Sequence, residues 1–328
     1  MHIKYLYIFL VSSFLQFQQV TGQKIKTGSY SKEISFTCDN DFFLFSGSDR
    51  YYTNGLFFDY TYISKTEKLA KIISKFTLGQ KIFTAFKRKI PPENVQLLDR
   101  PITGYLYFNY SVLKFFENNQ LLSLGITPGI IGPAAFGEEV QTSWHRLIGI
   151  KSQWDWIWKY QLHNAFGVDL EAAYAKTIIG SSINKFQISP LSNISVGTNE
   201  TFIKQDLVFQ VGKFNNMHNS ELWGSLISRS GNSLSGDQKA NRNVELFFYY
   251  QPSIMYQFYN ATIEGGMFTN NKGPIVDKIN NWVLMNTCGI STSVKNVGAL
   301  FQIVYQSREA TSQFDSHIYG TIKLSYKF

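Results

Sequence analysis

Toward its C-terminus the chain alternates residue by residue, with Ile322, Leu324, Tyr326 and Phe328 against Lys323, Ser325 and Lys327. Successive side chains of a strand face opposite sides, so one face of this segment is apolar and the other polar. Comparable segments recur at roughly 31–43, 51–64, 71–85, 102–113, 119–131, 158–178, 184–197, 201–214, 241–258, 279–294, 296–308 and 316–328. They predict an all-β chain, a transmembrane antiparallel β-barrel of about twelve strands with lipid outside and polar groups inside; an even count lets both chain ends leave from one rim. Pro252 leaves a division of segment 241–258 open, and with it ten or fourteen strands.

Three of the breaks are longer than a turn and read as loops: 86–100 with Pro91 and Pro92, the Ser/Asn/Gly-rich 214–240, and 259–278 with Gly265, Gly266, Gly273 and Pro274. A fourth, from Ala134 to Ile148, carries Val140, Trp144 and Leu147 at the spacing of one helical face, so a short helix is expected in a loop. At the N-terminus, basic Lys4, an apolar stretch from Tyr5 to Leu15 and small residues before Gln23 predict a secretory signal over 1–22, leaving a single barrel domain over 23–328. The apolar stretch is shorter than the roughly 20 residues that span a bilayer. Such an address fits an integral protein of the bacterial outer membrane.

Composition changes this picture little. The 28 Phe and 19 Tyr residues suit the aromatic girdles of a membrane barrel. A formal charge of +8 is spread without a basic run, which argues against a nucleic-acid partner. It suits either an anionic surface such as phosphorylated lipid head groups or plain loop solubility. Cys38 and Cys288 could pair in an exported protein or stay as free thiols, and no Cys spacing suggests zinc.

Two places carry candidate chemistry. Asn40 and Asp41 end the first predicted strand while Asp49, Arg50, Thr53 and Asn54 begin the second, so a hairpin gathers oxygen ligands of the kind hard cations such as calcium take. Turn chemistry alone also accounts for Asp49, Asn54 and Gly55. On the predicted helix, Gln141 and His145 are four apart and share a face with Glu138, so His145 could act as a general base beside an orienting Gln141, or lie on the surface of an amphipathic helix. Trp154, Trp156 and Trp158, with Gln161 and Asn164 close behind, read as an interfacial aromatic belt.

Taken in order, Asn40-Asp41, the Ser-Asp-Arg-Tyr-Tyr-Thr-Asn-Gly run over 48–55, Gln141-x-x-x-His145, the Trp-Asp with Gln161-Leu162, Ser195-Val-Gly197 and the terminal strand resemble the outer-membrane lipid A 3′-O-deacylases, the LpxR family, over residues 34 to 328. The resemblance implies a twelve-stranded barrel with a calcium-dependent site inside the wall near the outer leaflet and lipopolysaccharide as substrate. Carried over, the family's Asn-Asp pair falls on Asn40 and Asp41, its glutamine on Gln141 and its histidine on His145. Its hydroxyl residue falls on Thr53, which matches the Tyr-Thr-Asn-Gly portion, or on Ser48, which stands where members often have Thr before Asp-Arg. Departures are Lys151, where an acidic residue is common shortly after the histidine, and Asn164-Ala165 in place of Asn-Glu; the nearest acids are Glu138, Glu139 and Asp155. The expected chemistry is ester hydrolysis with Ca2+ on Asp41 and Asn40, His145 as base and Gln141 positioning water or an oxyanion. The alternatives are a catalytically silent porin or structural barrel and a serine-type outer-membrane phospholipase.

Overall fold

A computed structural model describes residues 30–44, 50–67, 70–86, 92–147, 155–181, 185–227 and 244–328. The expected signal over 1–22, Ser48, Asp49 and Lys151 lie outside the described residues. The strands are β1 (Lys32–Asn40), β2 (Tyr51–Glu67), β3 (Ala70–Thr84), β4 (Thr103–Phe116), β5 (Gln120–Ile131), β6 (Ala165–Lys176), β7 (Ile179–Ser181), β8 (Phe186–Gly197), β9 (Glu200–Lys213), β10 (Val244–Asn260), β11 (Trp282–Val294), β12 (Val297–Gln306) and β13 (His317–Lys327). Helix α1 spans Gly137–Leu147, and the single turn α2 spans Ala261–Glu264.

Twelve of these strands close into an antiparallel barrel, sealed where Glu33 of β1 faces Lys327 of β13 and where Asp169 of β6 faces Gly197 of β8. The short β7 continues β6, pairing with the same edge of β8, whose other edge is taken by β9. Closure pairs every strand on both sides, which is what allows strands to cross a bilayer. Exposed Ile34, Phe58, Leu78, Leu124 and Leu284 face outward, while buried Ser35, Asp59, Thr77, Asn109 and Thr321 face in. Outward Tyr62, Phe76 and Tyr110 form adjoining ring contacts across β2 to β4, part of an aromatic girdle.

One expectation needs correction, and one point left open is settled. Strand β6 starts at Ala165, because Asp155–Tyr160 forms a short 3-10 helix that buries the consecutive Ile157 and Trp158 together, which one face of a strand cannot do. Strand β10 runs unbroken through Pro252; its pairing with β9 skips Gln251 and Pro252, so the missing N–H falls in a gap of the ladder. The thiols of Cys38 and Cys288 are free, on strands separated by β13 and β12 and hence about 14 Å apart at 4.8 Å per strand, beyond the span of a disulfide.

The two ends of the barrel differ. At the rim carrying the termini, the first half of the expected 214–240 loop turns into the lumen. Met217, Trp223 and Ile227 pack there on Ile63, Ile73, Phe115 and Val208. The carboxylate of Glu245 accepts the N–H groups of Asn215 and Glu221 at 2.8 and 2.9 Å, and Lys71 Nζ donates to the carbonyls of His218 and Ser225 at 2.6 and 2.5 Å. At the far rim, Arg100 ties three connections together. Its Nε donates to Glu309 Oε1 at 2.8 Å and its Nη2 to Thr262 Oγ1 at 3.1 Å, with the guanidinium 4.0 Å above the Phe83 ring. Asp277 likewise accepts from Thr311 Oγ1 and Ser312 N at 2.7 and 2.9 Å. Burial alone would raise its carboxyl, but these donors outweigh it and hold the group below its usual value.

Candidate functional site on the outer face of the wall

Alternation along β1 puts Glu33, Ser35 and Asp39 in the lumen and Ile34, Phe36 and Asn40 outside. Along β2 the outward series is Tyr60, Phe58, Leu56 and Asn54, and the register sets Asn54 directly opposite Asn40. Phe58 is 56% exposed, as a lipid-facing residue should be, whereas Asn54 is 6% and Asn40 5% exposed. On β3, exposed Leu78 gives way to buried Gln80, Ile82 and Thr84. Near the far rim the outer face of β1 to β4 therefore stops facing lipid. It is polar and covered.

Two elements form the cover. After Asn40 the chain makes a 3-10 turn, Asp41–Leu44, that folds Phe43 over outward Gly320 of β13. From the other side α1 and its lead-in press onto β3 and β4: Gln80 Nε2 donates to the Ala135 carbonyl at 2.6 Å, and a Cβ on Gly104 would lie 3.0 Å from Gly137 N. A Cβ on Gly137 would in turn meet Trp158 at 2.8 Å. Only this glycine pair lets helix and wall come so close. Beneath them Ile82, Ile102, Ile157 and Trp158 form an apolar cluster that fixes the helix in place.

The site residues sit around that junction. Thr53 is the extra residue of a β-bulge, since pairing with β3 passes from Tyr52–Phe83 straight to Asn54–Ile82. The bulge turns its Oγ1 to within 2.8 Å of Thr84 Oγ1, and the residue that opens it, Tyr51, has a φ of 58°, rarely adopted by a side chain of this size. Tyr51 is held there by its hydroxyl, which donates to Asp99 Oδ2 at 2.7 Å and accepts from Asp315 N at 3.1 Å. Asp41, 3% exposed, accepts the Arg50 N–H at 3.1 Å. The Arg50 guanidinium lies 4.5 Å over Phe86 and 3.6 Å from Asp315.

On α1, Gly137, Gln141 and His145 recur every four residues and form its wall-facing stripe; Gly137 and Gln141 are buried and His145 is half-buried. Gln141 Oε1 accepts from Trp158 Nε1 at 3.0 Å. Glu138 and Glu139 are exposed. The Gln161-Leu162 and Ser195-Val-Gly197 motifs do structural work elsewhere: Leu162 N donates to Ile102 O at 2.9 Å, and Ser195 Oγ donates to Glu200 O at 3.1 Å. Asn54 lies inside β2, paired on both sides, so turn chemistry does not explain it. Nor does it explain Gly55, where a Cβ would stand 2.0 Å from the Tyr52 hydroxyl.

A cavity lies elsewhere. About 280 Å³ in volume, it occupies the lumen between Asp39, Lys81, Glu200, Glu309 and Tyr319, separated by the wall from Asn40 and Thr53. The candidate chemistry lies at the outer site. Among the described residues no three His, Cys, Asp or Glu side chains converge on a metal. What the outer site offers is oxygen: the Asp41 carboxylate, the Asn40 and Asn54 amides and the Thr53 hydroxyl, with Asn54 Oδ1 buried and lacking any hydrogen-bond partner. That donor set fits a hard cation such as calcium and does not fit zinc. Gly104 and Thr84 went unread in the sequence, and Trp158, read there as part of an interfacial aromatic belt, is instead buried beneath α1. For the two strand residues the signal was strand phase, since the register places them and no motif does.

Comparison with known proteins bears on this arrangement. No curated protein matches the chain. Among solved structures, LpxR from Salmonella typhimurium superposes with a TM-score of 0.70 at 21% identity, over 90% of this chain and 100% of that one. The β-domain of the Bordetella autotransporter BrkA and the translocator domain of NalP from Neisseria meningitidis are weaker likenesses. Their TM-scores are 0.47 and 0.45 at 7% and 8% identity, over 92% and 100% of this chain and 100% and 96% of theirs. The family model described as outer membrane protein LpxR matches residues 7–328, nearly the whole chain, and with its closed barrel this protein belongs to that family as an integral protein of the bacterial outer membrane.

Proposed function

We propose that the protein is a lipid A deacylase that hydrolyses the 3′ acyl ester in the outer leaflet and releases the 3′ acyloxyacyl group. The observation that carries this reading is the buried polar patch of Asn40, Thr53 and Asn54 on the bilayer side of the wall, beside the wall-facing stripe of α1. A membrane lipid reaches that patch from the leaflet, without entering the lumen. Filling of the terminal end of the lumen by 214–227 gives a pore reading little support.

Asp41 and Asn40 would hold calcium, which when bound polarises the ester carbonyl and stabilises the developing oxyanion. His145 takes a proton from the attacking water and returns it to the leaving alcohol as the ester C–O bond breaks. With its oxygen engaged by Trp158, Gln141 presents its amide nitrogen, which suits donation to an oxyanion better than acceptance from water. Thr53, turned by the bulge, shapes the floor and supplies the hydroxyl role.

Mass spectrometry of lipid A from cells expressing the protein tests the reading. The parent should remove the 3′ group in the presence of calcium and not under a calcium chelator. His145→Ala should leave lipid A unmodified while the barrel keeps its heat-modifiable gel mobility. Deacylation by purified His145→Ala would refute the base assignment, and chelator-resistant activity the calcium assignment.

A further inference from the structure

Asn54 is 6% exposed, and its Oδ1 is buried without a hydrogen-bond partner. A buried amide oxygen left in that state is destabilising and calls for an explanation. Its place supplies one. Asn54 stands opposite Asn40 in the β1–β2 register, both on the outward phase, and directly opposed side chains have their Cβ atoms about 4.5–5.5 Å apart. Two amide oxygens at that spacing can share one ion with bonds of about 2.3–2.6 Å. Asp41 follows Asn40 in the chain and adds a buried carboxylate. The β1–β2 register runs without a shift from Lys32–Tyr62 to Asn40–Asn54, and it brings Asn54, and not its neighbour, to this point.

We propose that Asn54 is a third oxygen ligand of the cation site, its side-chain carbonyl closing the set begun by Asn40 and Asp41. This rests on the calcium reading above. It also answers the departures from the family pattern at Lys151 and Ala165, because a neutral carbonyl on β2 takes the place of an acidic ligand. A site with one carboxylate and two amides is weakly charged, and its calcium affinity falls in the range of extracellular modules, about 10⁻⁴–10⁻³ M. Charge count then becomes the handle for testing it.

The experiment is calorimetric titration of calcium into the purified, detergent-solubilised full chain, comparing the parent with Asn54→Ala, Asn54→Asp and Asp41→Asn, each checked for a folded barrel by gel mobility. Asn54→Ala should weaken calcium binding at least tenfold, and Asn54→Asp should tighten it by adding a negative ligand. Parent-like affinity in either folded Asn54 variant overturns the proposal. If Asp41→Asn alone loses binding, the calcium reading stands and Asn54 is not a ligand; if the parent binds no calcium, both fall together.

Discussion

Asp39 and Asn40 are neighbours on one strand and belong to different worlds. Asp39 faces the lumen, where its carboxylate accepts the Tyr52 and Thr321 hydroxyls, each at 2.7 Å. Other lumen carboxylates are bound just as fully: Asp59 takes Ser35 Oγ at 2.8 Å and Thr77 Oγ1 at 2.6 Å and pairs with Lys75 at 3.2 Å. Asn40 faces outward, opposite an amide oxygen with no partner. The Asp39 carboxylate is consumed by structure, while the amides of Asn40 and Asn54 sit where chemistry is possible. In a membrane barrel, a polar residue on the lumen face is the ordinary case, and the same residue on the lipid face needs a reason.

The comparison can be broken at several points. Arg100 is the inner-side extreme, a fully buried cation whose pairing with Glu309 spans two connections. Arg100→Leu strands the Glu309 carboxylate and should cost about 3–5 kcal/mol, read as a lowered urea midpoint of the folded barrel. If stability hardly moves, the lumen charges are not the structural element claimed here. On the outer side, Gly104→Leu should lift α1 from the wall and lower deacylation about 100-fold, the effect of an ångström-scale misplacement, with the urea midpoint held. Full activity in that variant would separate the helix from catalysis. The mildest expectation is Asp39→Asn. It should lose about 1 kcal/mol of stability through weaker acceptance from Tyr52 and Thr321 yet stay within a few-fold of parent activity. Loss of deacylation there would erase the distinction between the two faces.

Much of this architecture was readable from alternation alone. Each of the twelve barrel strands coincides with an expected segment, because lipid outside and polar groups inside impose a strict period of two. The misread stretch before β6 shows the limit. The expected strand began at Trp158, but tertiary packing buries Ile157 and Trp158 together and Asp155–Tyr160 winds into a 3-10 helix. The lumen filling by 214–227 was hidden for the opposite reason, since its Ser, Asn and Gly content matches that of a surface loop while the deciding residues, Met217, Trp223 and Ile227, are few. At the site, Asn40, Asp41, Thr53, Gln141 and His145 were visible as motifs. Their facing was not, because one bulge at Thr53 and a glycine contact between Gly104 and Gly137 decide it, and neither leaves a periodic trace.

Placing the polar patch on the flank of the cylinder makes the leaflet itself the reservoir from which molecules arrive. Encounter is then a two-dimensional search, governed by the mole fraction of lipid A among its neighbours and by lateral diffusion, and indifferent to lipid dispersed elsewhere in the medium. Diluting the membrane with inert lipid should slow turnover; diluting the suspension with buffer of the same calcium concentration should not.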